Sequence, residues 1–303
     1  MLKALVAAAA LLYALTHLVL WATAPLHGPP RDTKLDTDAR EAWLKRRPKD
    51  SVQLSVVVPA YDERDRLPPT LRLMAPYFRM RQKEGFSFEI IVVDDGSKDS
   101  TAAVAASLGA ELFPDELVVV RLPANRGKGG AVKEGVLRSR GDFILIADAD
   151  GATDIRDHAS LEARSLAGDY GVVCGSRAHL VSTDQVARRS FVRNVLMRGF
   201  HAFVQIIGGV AGIRDTQCGF KLFRRREARV LFSHLHLERW AFDVEILYVA
   251  LALRYRVAEV PVNWTEVPGS KVDLARDSLR MARDIFCVRV AYLCGRWRLP
   301  PGK

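Results

Sequence analysis

Two carboxylates separated by one residue, Asp148 and Asp150, follow an apolar run at 143–147 and precede Gly151. Side chains at positions i and i+2 of an extended segment point the same way, so both carboxylates can approach one cation. Mg²⁺ or Mn²⁺ in such a place keeps several waters and links one or two carboxylates to substrate phosphates. The spacing therefore predicts a divalent-cation site. A solvated turn is the alternative, because Asp and Gly are frequent in turns.

Further polar clusters stand at the ends of apolar runs upstream of this pair. They are Tyr61–Glu63 after a run at 54–58, Asp94–Ser97 after 88–93 and Asn125–Gly130 after 117–122. Helical segments at about 67–83, 100–108 and 131–138 separate the runs. Alternating strands and helices form parallel sheets, and ligands collect beyond the carboxyl ends of the strands. The order predicts an α/β, Rossmann-like fold with a mostly parallel sheet, flanking helices and a site along one sheet edge.

The turn Gly127–Gly130 places three glycines around Lys128. Glycine lets the backbone approach a phosphate closely, and the lysine adds a point charge. The turn is neither a Walker loop nor a dinucleotide fingerprint, since the Gly-x-Gly-x-x-Gly pattern fails at Val132. Of the phosphate ligands that such a turn binds, a nucleoside diphosphate held by a divalent ion is the remaining candidate. Asp94 and Asp95 offer hydrogen bonds to its base or ribose, or else they cap the next helix.

Composition sets broad limits on the class of protein. The 303 residues suffice for one large domain or two ordinary ones, and a hydrophobic content of 49% excludes a mainly disordered chain. The net charge of +10 indicates acidic partners such as nucleotide phosphates, an anionic membrane surface or nucleic acid. The four cysteines form no Cys-x-x-Cys pair, which fits neither a zinc site nor a disulfide framework and indicates a reducing compartment.

The amino-terminal stretch has the length and composition of a membrane span. No charged residue lies between Lys3 and Arg31, and the apolar part from Ala4 to about Leu26 has the ~20-residue length that a bilayer requires. A cleaved signal peptide is the alternative, with Ala22–Ala24 as its small-residue site. We predict an uncleaved transmembrane anchor over 1–30. The basic residues that follow it place the body of the protein in the cytosol.

The remaining chain divides into a polar linker at 31–50, an α/β domain at 51–268 and a C-terminal segment at 269–303. In the last segment the spacing predicts an amphipathic helix from Asp273 to Trp297. Its apolar stripe comprises Leu274, Met281, Ile285, Val288 and Tyr292, broadened by Leu279, Phe286, Val290, Leu293 and Trp297. A helix docked on the core and an interfacial membrane helix both fit this pattern.

Several motifs, in the same order along the chain, resemble the inverting family 2 glycosyltransferases with the GT-A fold. They are Val58–Glu63, Val93–Ser97 and Asp148–Asp150. Within that family the chain resembles the dolichyl-phosphate β-glucosyltransferases, through Asn125–Gly130, Ala147–Thr153, Cys174–Leu180, Arg214–Phe223, Glu238–Glu245 and Val262–Glu266. The resemblance spans about Ser51 to Trp297 and includes the amino-terminal anchor.

The resemblance implies a role for each matching residue. The donor nucleotide would be bound by Pro59, Tyr61, Glu63, Asp94, Asp95, Lys128, Asp148, Ala149 and Asp150. Asp148 and Asp150 would hold the metal, and Lys128, Asp150 and Asp215 would serve catalysis. Arg177, Arg189 and Arg193 would bind the phosphate of the acceptor. Related mannose synthases have a Gln metal ligand where this chain has Ala152. Asp243 and Glu245, in an apolar helical run, are predicted to cap or to form salt bridges.

The activity implied by the resemblance is transfer of glucose from UDP-glucose to dolichyl phosphate with inversion, which supplies lipid-linked glucose for N-glycan precursor assembly. It further implies Mg²⁺ or Mn²⁺ as cofactor and no nucleic-acid partner. The location would be the endoplasmic reticulum membrane, with a single pass and a catalytic domain facing the cytosol. Two alternatives remain: another polyprenyl-phosphate glycosyltransferase, such as one using GDP-mannose, and a non-enzymatic, basic, membrane-anchored scaffold.

Overall fold

A seven-stranded sheet forms the centre of the molecule in a computed structural model of the chain. The structure describes residues 10, 12–17, 19, 51–182, 199, 202–269 and 274–300. The strand order is β3-β2-β1-β4-β6-β5-β7. The β1, β2, β3 and β4 strands pair in parallel, as do β5 and β7, whereas β6 runs antiparallel to both of its neighbours.

The strands and helices alternate along most of the chain. The strands are β1 (Val52–Ala60), β2 (Phe88–Asp94), β3 (Leu117–Arg121), β4 (Gly141–Ile146), β5 (Val172–Ser176), β6 (Lys221–Arg224) and β7 (Val257–Pro261). The helices are α1 (Leu67–Lys83), α2 (Thr101–Leu112), α3 (Lys128–Arg138), α4 (His158–Gly168), α5 (Arg225–Ser233), α6 (Phe242–Ala252) and α7 (Leu274–Leu293). The predicted α/β fold with a mostly parallel sheet is confirmed.

Apolar residues fill both faces of the sheet. One core contains Leu71 and Phe78 of α1 and other buried residues beside α2 and α4. The opposite core contains Val136 of α3, Phe242 of α6 and Ile285 of α7. The β2 strand is buried along its whole length, which explains its almost continuous apolar sequence.

The loops at the site differ in detail from the sequence-based expectations. The α3 helix begins at Lys128, inside the glycine-rich turn, three residues before the predicted start. The β4 strand ends at Ile146, so Asp148 and Asp150 lie in the following turn and not in an extended segment. Gly151 adopts a φ of +68°, and its N–H donates to the Asp148 carbonyl oxygen at 3.3 Å. The chain already turns at Ala149 and Asp150, so the i, i+2 argument for an extended segment does not apply to the two carboxylates.

The C-terminal helix α7 is docked on the core of the α/β domain. Met281, Ile285 and Val288 are buried on its inner face, which confirms the docked interpretation of that stripe. Leu279 and Phe286, in contrast, do not broaden this stripe as predicted. Together with Leu293 they lie on the outward face, with exposed fractions of 75%, 45% and 70%. The helix therefore has two apolar faces, of which one has no cover among the described residues.

The predicted anchor at 1–30 and the linker at 31–50 fall almost entirely outside the described residues. Of the anchor, the described positions are 10, 12–17 and 19, and all of them are helical. Within the described part of the chain, no helix combines the length and the apolar character needed to cross a membrane.

Candidate active site

The polar side chains singled out in the sequence meet at the carboxyl ends of the parallel strands. Lys128, at the start of α3, places its Nζ 2.6 Å from Oδ1 of Asp148, in the turn after β4. The antiparallel strand β6 begins at the same edge, because Lys221 pairs with Ile146 of β4. This edge therefore also receives the loop that leads into β6.

The acidic turn after β4 is held by backbone contacts. Thr70 Oγ1 of α1 donates to the Ala149 carbonyl oxygen at 2.9 Å, and the Ala152 N–H donates to Asp150 Oδ1 at 3.1 Å. A Cβ on Gly151 would lie 2.7 Å from Thr70 Oγ1, and a Cβ on Gly219 would collide with the Asp148 carboxylate. Both glycines make room for the acidic turn.

The sequence reasoning did not include Arg66 in this site. Its guanidinium binds both oxygens of Glu63, at 2.7 and 2.5 Å, and its Nη1 lies 3.8 Å from Asp150 Oδ2. The hydrogen bond to Glu63 raises the pKa of Arg66 despite burial. Glu63 is thus an orienting partner of an arginine that faces the acidic turn. The position of Arg66 just before α1 was the only feature of the sequence that could have indicated its role in the site.

The pKa values of the two aspartates shift in opposite directions. Burial raises the pKa of the Asp148 carboxyl, but the ammonium of Lys128 outweighs burial and lowers that pKa. Burial and the neighbouring charge of Asp148 raise the pKa of Asp150. Burial lowers the pKa of Lys128, and the carboxylates of Asp148 and Asp243 overcome this effect and raise it. The arrangement keeps Lys128 charged beside the acidic turn.

A second ion pair lies below the first, between Lys221 Nζ and Asp243 Oδ1 at 2.6 Å. It confirms the prediction that Asp243 forms a salt bridge. The prediction for Glu245 is also confirmed, because its fully buried carboxylate accepts the backbone N–H groups of His236 and Leu237. Sequence reasoning missed Lys221, since lysine in a short, charged segment is usually exposed.

The residues predicted to surround the nucleotide base lie at the ends of β1 and β2. Asp94 accepts the Ser97 N–H at 3.0 Å, and Asp95 accepts the N–H groups of Arg126 and Gly127, each at 2.8 Å. Burial raises the pKa of Asp95 to about 6. Asp95 thereby ties the end of β2 to the glycine-rich turn.

Pro59 and Tyr61 stand at the same sheet edge, at and just beyond the end of β1. Both are half-buried. Asp62, between Tyr61 and Glu63, has a φ of +50° and accepts the Lys98 N–H at 2.7 Å. The loops after β1 and β2 are therefore joined beside the predicted base site.

On the other side of the acidic turn, Arg177 follows β5 and forms a bidentate pair with Asp215. Arg177 Nε and Nη2 donate to the two Asp215 oxygens at 2.7 and 2.9 Å, and the Arg177 backbone N–H adds a third bond at 2.9 Å. Burial raises the pKa of Asp215, but Arg177 reverses this and lowers it. The Arg177 guanidinium also lies 5.5 Å from the Trp264 ring centre. Asp215 therefore serves as the anchor that orients Arg177.

Two segments hold this pair against the acidic turn. Glu259 of β7 accepts the backbone N–H groups of Arg214 and Asp215, both at 2.8 Å. Beyond β7, the Thr265 N–H donates to the Ala152 carbonyl oxygen at 2.8 Å. Arg189 and Arg193, the other two predicted acceptor residues, lie outside the described residues.

The side-chain oxygens at the acidic turn fit a divalent cation whose coordination shell would be completed by substrate oxygens. Asp148 and Asp150 supply the carboxylate oxygens that Mg²⁺ and Mn²⁺ prefer, and the missing Cβ at Gly219 leaves room for the Asp148 carboxylate itself. At the position of the third ligand, Ala152 offers only its backbone, which already orients Asp150. In the described part of the chain, no cluster of three His, Cys, Asp or Glu side chains could hold a metal by itself. A cation bound here would therefore need water and phosphate oxygens to complete its coordination.

Comparisons with known proteins agree with this geometry. Residues 55–231 match the sequence model of the family described as Glycosyl transferase family 2. A dolichyl-phosphate beta-glucosyltransferase of Dictyostelium discoideum is 52% identical over 257 residues, or 83% of this chain and 78% of that protein. The Homo sapiens and Saccharomyces cerevisiae proteins of the same name are 48% and 42% identical, each over 82% of this chain and 78% of their own length.

Solved structures support the fold. Glucosyl-3-phosphoglycerate synthase of Mycobacterium tuberculosis superposes with a TM-score of 0.54 at 16% identity, covering 87% of this chain and 85% of that one. The same enzyme in complex with Mn²⁺, UDP and phosphoglyceric acid gives a TM-score of 0.53 at 18% identity, covering 87% and 83%. The chain is therefore a glycosyltransferase with an α/β, GT-A-like fold, and it belongs to glycosyl transferase family 2, within the dolichyl-phosphate beta-glucosyltransferases.

Proposed function

We propose that this enzyme transfers glucose from UDP-glucose to dolichyl phosphate with inversion of configuration, giving dolichyl β-D-glucosyl phosphate. The observation that carries the proposal is the convergence of two cationic groups on one acidic turn. Lys128 pairs with Asp148, and the positive charge of the anchored Arg177 also acts on that carboxylate. Relatives named for this reaction, at 42–52% identity, support it.

The donor would bind on the side of Lys128. Asp148 and Asp150 would hold Mg²⁺ or Mn²⁺, which when bound neutralises charge on the diphosphate. Lys128 would face that diphosphate, while Pro59, Tyr61, Asp94 and Asp95 would line the uridine side. The M. tuberculosis enzyme was solved with Mn²⁺ and UDP-glucose at a TM-score of 0.51, which supports this choice of donor and cation.

The acceptor phosphate would bind on the side of Arg177. Asp215 occupies Nε and Nη2 of this arginine, and Nη1 has no partner within the described residues. Nη1 can therefore donate a charge-assisted hydrogen bond to a phosphate oxygen. Arg189 and Arg193 are the further acceptor residues that we propose from the sequence. Lys128 and Arg177 have different carboxylate partners, Asp148 and Asp215, so the two cations are held independently of each other.

The chemistry needs no enzyme nucleophile. A phosphate monoester is ionised near neutral pH, so its oxygen can attack the anomeric carbon without a strong general base. The glycosidic bond to UDP breaks as the new bond forms on the opposite face, which inverts the configuration. Catalysis then depends on positioning by Arg177 and on the charge of Lys128 beside the leaving diphosphate.

A lipid acceptor has to be met at a bilayer surface. The outward face of α7 supports membrane association, because Leu279, Phe286 and Leu293 are exposed and Arg280 and Arg283 flank them. We further propose a single-pass anchor at 1–30 in the endoplasmic reticulum membrane and a catalytic domain in the cytosol. Absence of a glycan from the sequon at Asn263 in eukaryotic cells is expected for this topology, and a glycan there would reverse it.

A competition assay tests the proposed reaction. The purified full-length protein would receive dolichyl phosphate with UDP-glucose, GDP-mannose or UDP-N-acetylglucosamine in Mn²⁺ or Mg²⁺. Glucose transfer from UDP-glucose, with a β-linked product by NMR, is the expected result. Preferential transfer from GDP-mannose would overturn the donor assignment, and an α-linked product would overturn inversion.

A further inference from the structure

The loop between α5 and α6, at 234–241, lies directly against the glycine-rich turn. The Gly130 N–H donates to the Glu238 carbonyl oxygen at 2.9 Å. A Cβ on Gly127 would lie 2.6 Å from that oxygen, and a Cβ on Gly129 would lie 2.8 Å from the Leu237 carbonyl oxygen. The backbone of this loop therefore sets the place of the backbone that would cradle the donor diphosphate.

Side chains reinforce the contact. Arg126, the residue before the turn, pairs with Glu238 of the loop and with Glu134 of α3. Lys133 of α3 donates from Nζ to the Leu235 carbonyl oxygen at 3.2 Å. A displacement of the loop would thus act on Gly127–Gly130 and on the start of α3 together.

The opposite side of the loop is held by the C-terminal segment. The His236 ring stacks on Trp297, with ring centres 4.1 Å apart and planes 7° from parallel. His236 Nδ1 lies 2.7 Å from the buried Glu245 carboxylate, to which Tyr292 of α7 donates its hydroxyl at 3.1 Å. Trp297 and Tyr292 thereby hold the side of the 234–241 loop that faces away from the glycine-rich turn.

We propose that Trp297 and Tyr292 are positioning residues for the donor, acting through His236 and the 234–241 loop on the glycine-rich turn. The inference deepens the proposed function, since it requires a nucleoside diphosphate at that turn. It also gives the C-terminal segment a role in donor affinity. The acceptor side, built on Arg177 and Asp215, makes none of these contacts.

The test compares Trp297→Ala and Trp297→Phe with Leu299→Ala, a truncation of an exposed side chain on the same segment. Calorimetry with UDP and Mn²⁺ measures binding, and steady-state kinetics give KM separately for UDP-glucose and dolichyl phosphate. A stacked aromatic pair sustains about a three- to tenfold effect. For Trp297→Ala we therefore expect UDP affinity to fall by about three- to tenfold and the KM for UDP-glucose to rise by the same factor. The KM for dolichyl phosphate should not change.

The controls make the result specific to positioning. Trp297→Phe keeps a ring against His236 and is expected to recover most of the affinity, while Leu299→Ala leaves it unchanged. Tyr292→Phe removes one hydroxyl and is expected to weaken UDP binding, and this variant carries the test if Trp297→Ala does not fold. UDP affinity unchanged in the folded variants would overturn the inference, as would an equal rise in both KM values. If the wild-type enzyme prefers another donor, the proposed function fails, and the same comparison with that nucleotide still decides the coupling.

Discussion

Lys221 Nζ and Asp243 Oδ1 form an ion pair of 2.6 Å whose side chains are only 1% and 7% exposed. The same ammonium donates to the carbonyl oxygens of Thr216 and Cys218, at 3.0 and 2.5 Å. Burial raises the pKa of Asp243, and Lys221 and Lys128 oppose that rise. The pair fastens the start of β6 to α6 immediately below the proposed reaction site.

Removing one partner of this pair is expected to destabilise the fold strongly. Lys221→Met leaves the Asp243 carboxylate buried without its cation, which costs about 3–5 kcal/mol of unfolding free energy. The double variant Lys221→Met, Asp243→Leu removes both charges and is expected to recover most of that loss. Urea unfolding of the three proteins measures the difference, and equal instability of the single and double variants would contradict it.

Asp150 is expected to be essential for turnover without being essential for folding. Asp150→Ala removes the more available carboxylate of the proposed cation site, and loss of one such electrostatic contact costs about two to three orders of magnitude in rate. The matched control is Asp142→Ala, at the opposite end of β4, where the carboxylate pairs with Arg225 on the surface. Kinetics with and without excess chelator provide the measurement. Full activity in chelator would rule out the cation site.

Arg177 is expected to serve the acceptor and to leave the donor unaffected. A charge-assisted hydrogen bond to phosphate contributes roughly 1.5–3 kcal/mol, so Arg177→Ala should raise the KM for dolichyl phosphate about ten- to a hundredfold. UDP-glucose binding by calorimetry should stay within about twofold of the wild type. Arg164→Ala, on the outer side of α4, is the control. If Arg177→Ala loses affinity for UDP-glucose and keeps its KM for dolichyl phosphate, the assignment is wrong. The same two measurements on Arg189→Ala test the second proposed acceptor residue.

His158 is expected to make the fold sensitive to acid. Its imidazole is fully buried against Tyr77, and burial, with a smaller effect of Arg81, lowers its pKa from 6.5 to about 3. Between these values the unfolded chain binds the proton and the folded chain does not. The free energy of unfolding therefore falls as pH drops through this window, by at most about 1.4 kcal/mol per pH unit.

The matched variant for this prediction is His158→Gln, which keeps an acceptor for Tyr77 and cannot titrate. Asp95 acts in the opposite direction, because its raised pKa of about 6 means that the folded chain holds the extra proton between 3.8 and 6. Urea unfolding at pH 7.5 and 5.5 should therefore show a smaller acid-induced loss in His158→Gln than in the wild type. Identical losses would show that His158 does not cause the sensitivity.

The outward face of α7 is expected to matter only when the acceptor is in a bilayer. Replacing Leu279, Phe286 and Leu293 together by Ser should lower turnover at least tenfold on dolichyl phosphate in anionic vesicles, because burial of each large side chain contributes roughly 1.5–3 kcal/mol. Turnover on a short, water-soluble prenyl phosphate should not change. Leu73→Ser and Leu166→Ser, exposed on other helices, are the controls. Equal losses on both acceptors would exclude a membrane role.

The sequence predicted the parts of this site that follow buried parallel strands. Those strands are continuous apolar runs, so their ends are marked by Asp94 and by the turn that carries Asp148. Pro68 and Pro69 mark the start of α1, whose predicted bounds agree with the structure. The glycine-rich turn was recognised for the same reason, although α3 begins within it.

Contacts between residues distant in sequence could not be predicted in this way. The β6 strand has four residues and begins with a lysine, so neither its pairing nor the burial of Lys221 had a local signal. Arg66 meets Asp150 only because α1 packs beside the acidic turn. The support of Gly130 by Glu238 likewise depends on α5 and α6 lying next to α3.

The clasp between Arg177 and Asp215 has a consequence for how this enzyme family can diversify. The Arg177–Asp215 pair ties the two ends of the intervening segment together at the sheet edge, and Glu259 holds the returning end as well. Closing a longer loop costs little additional entropy. Changes in the length of this segment among homologous enzymes are therefore expected to leave its two ends, and with them the donor half of the site, in place.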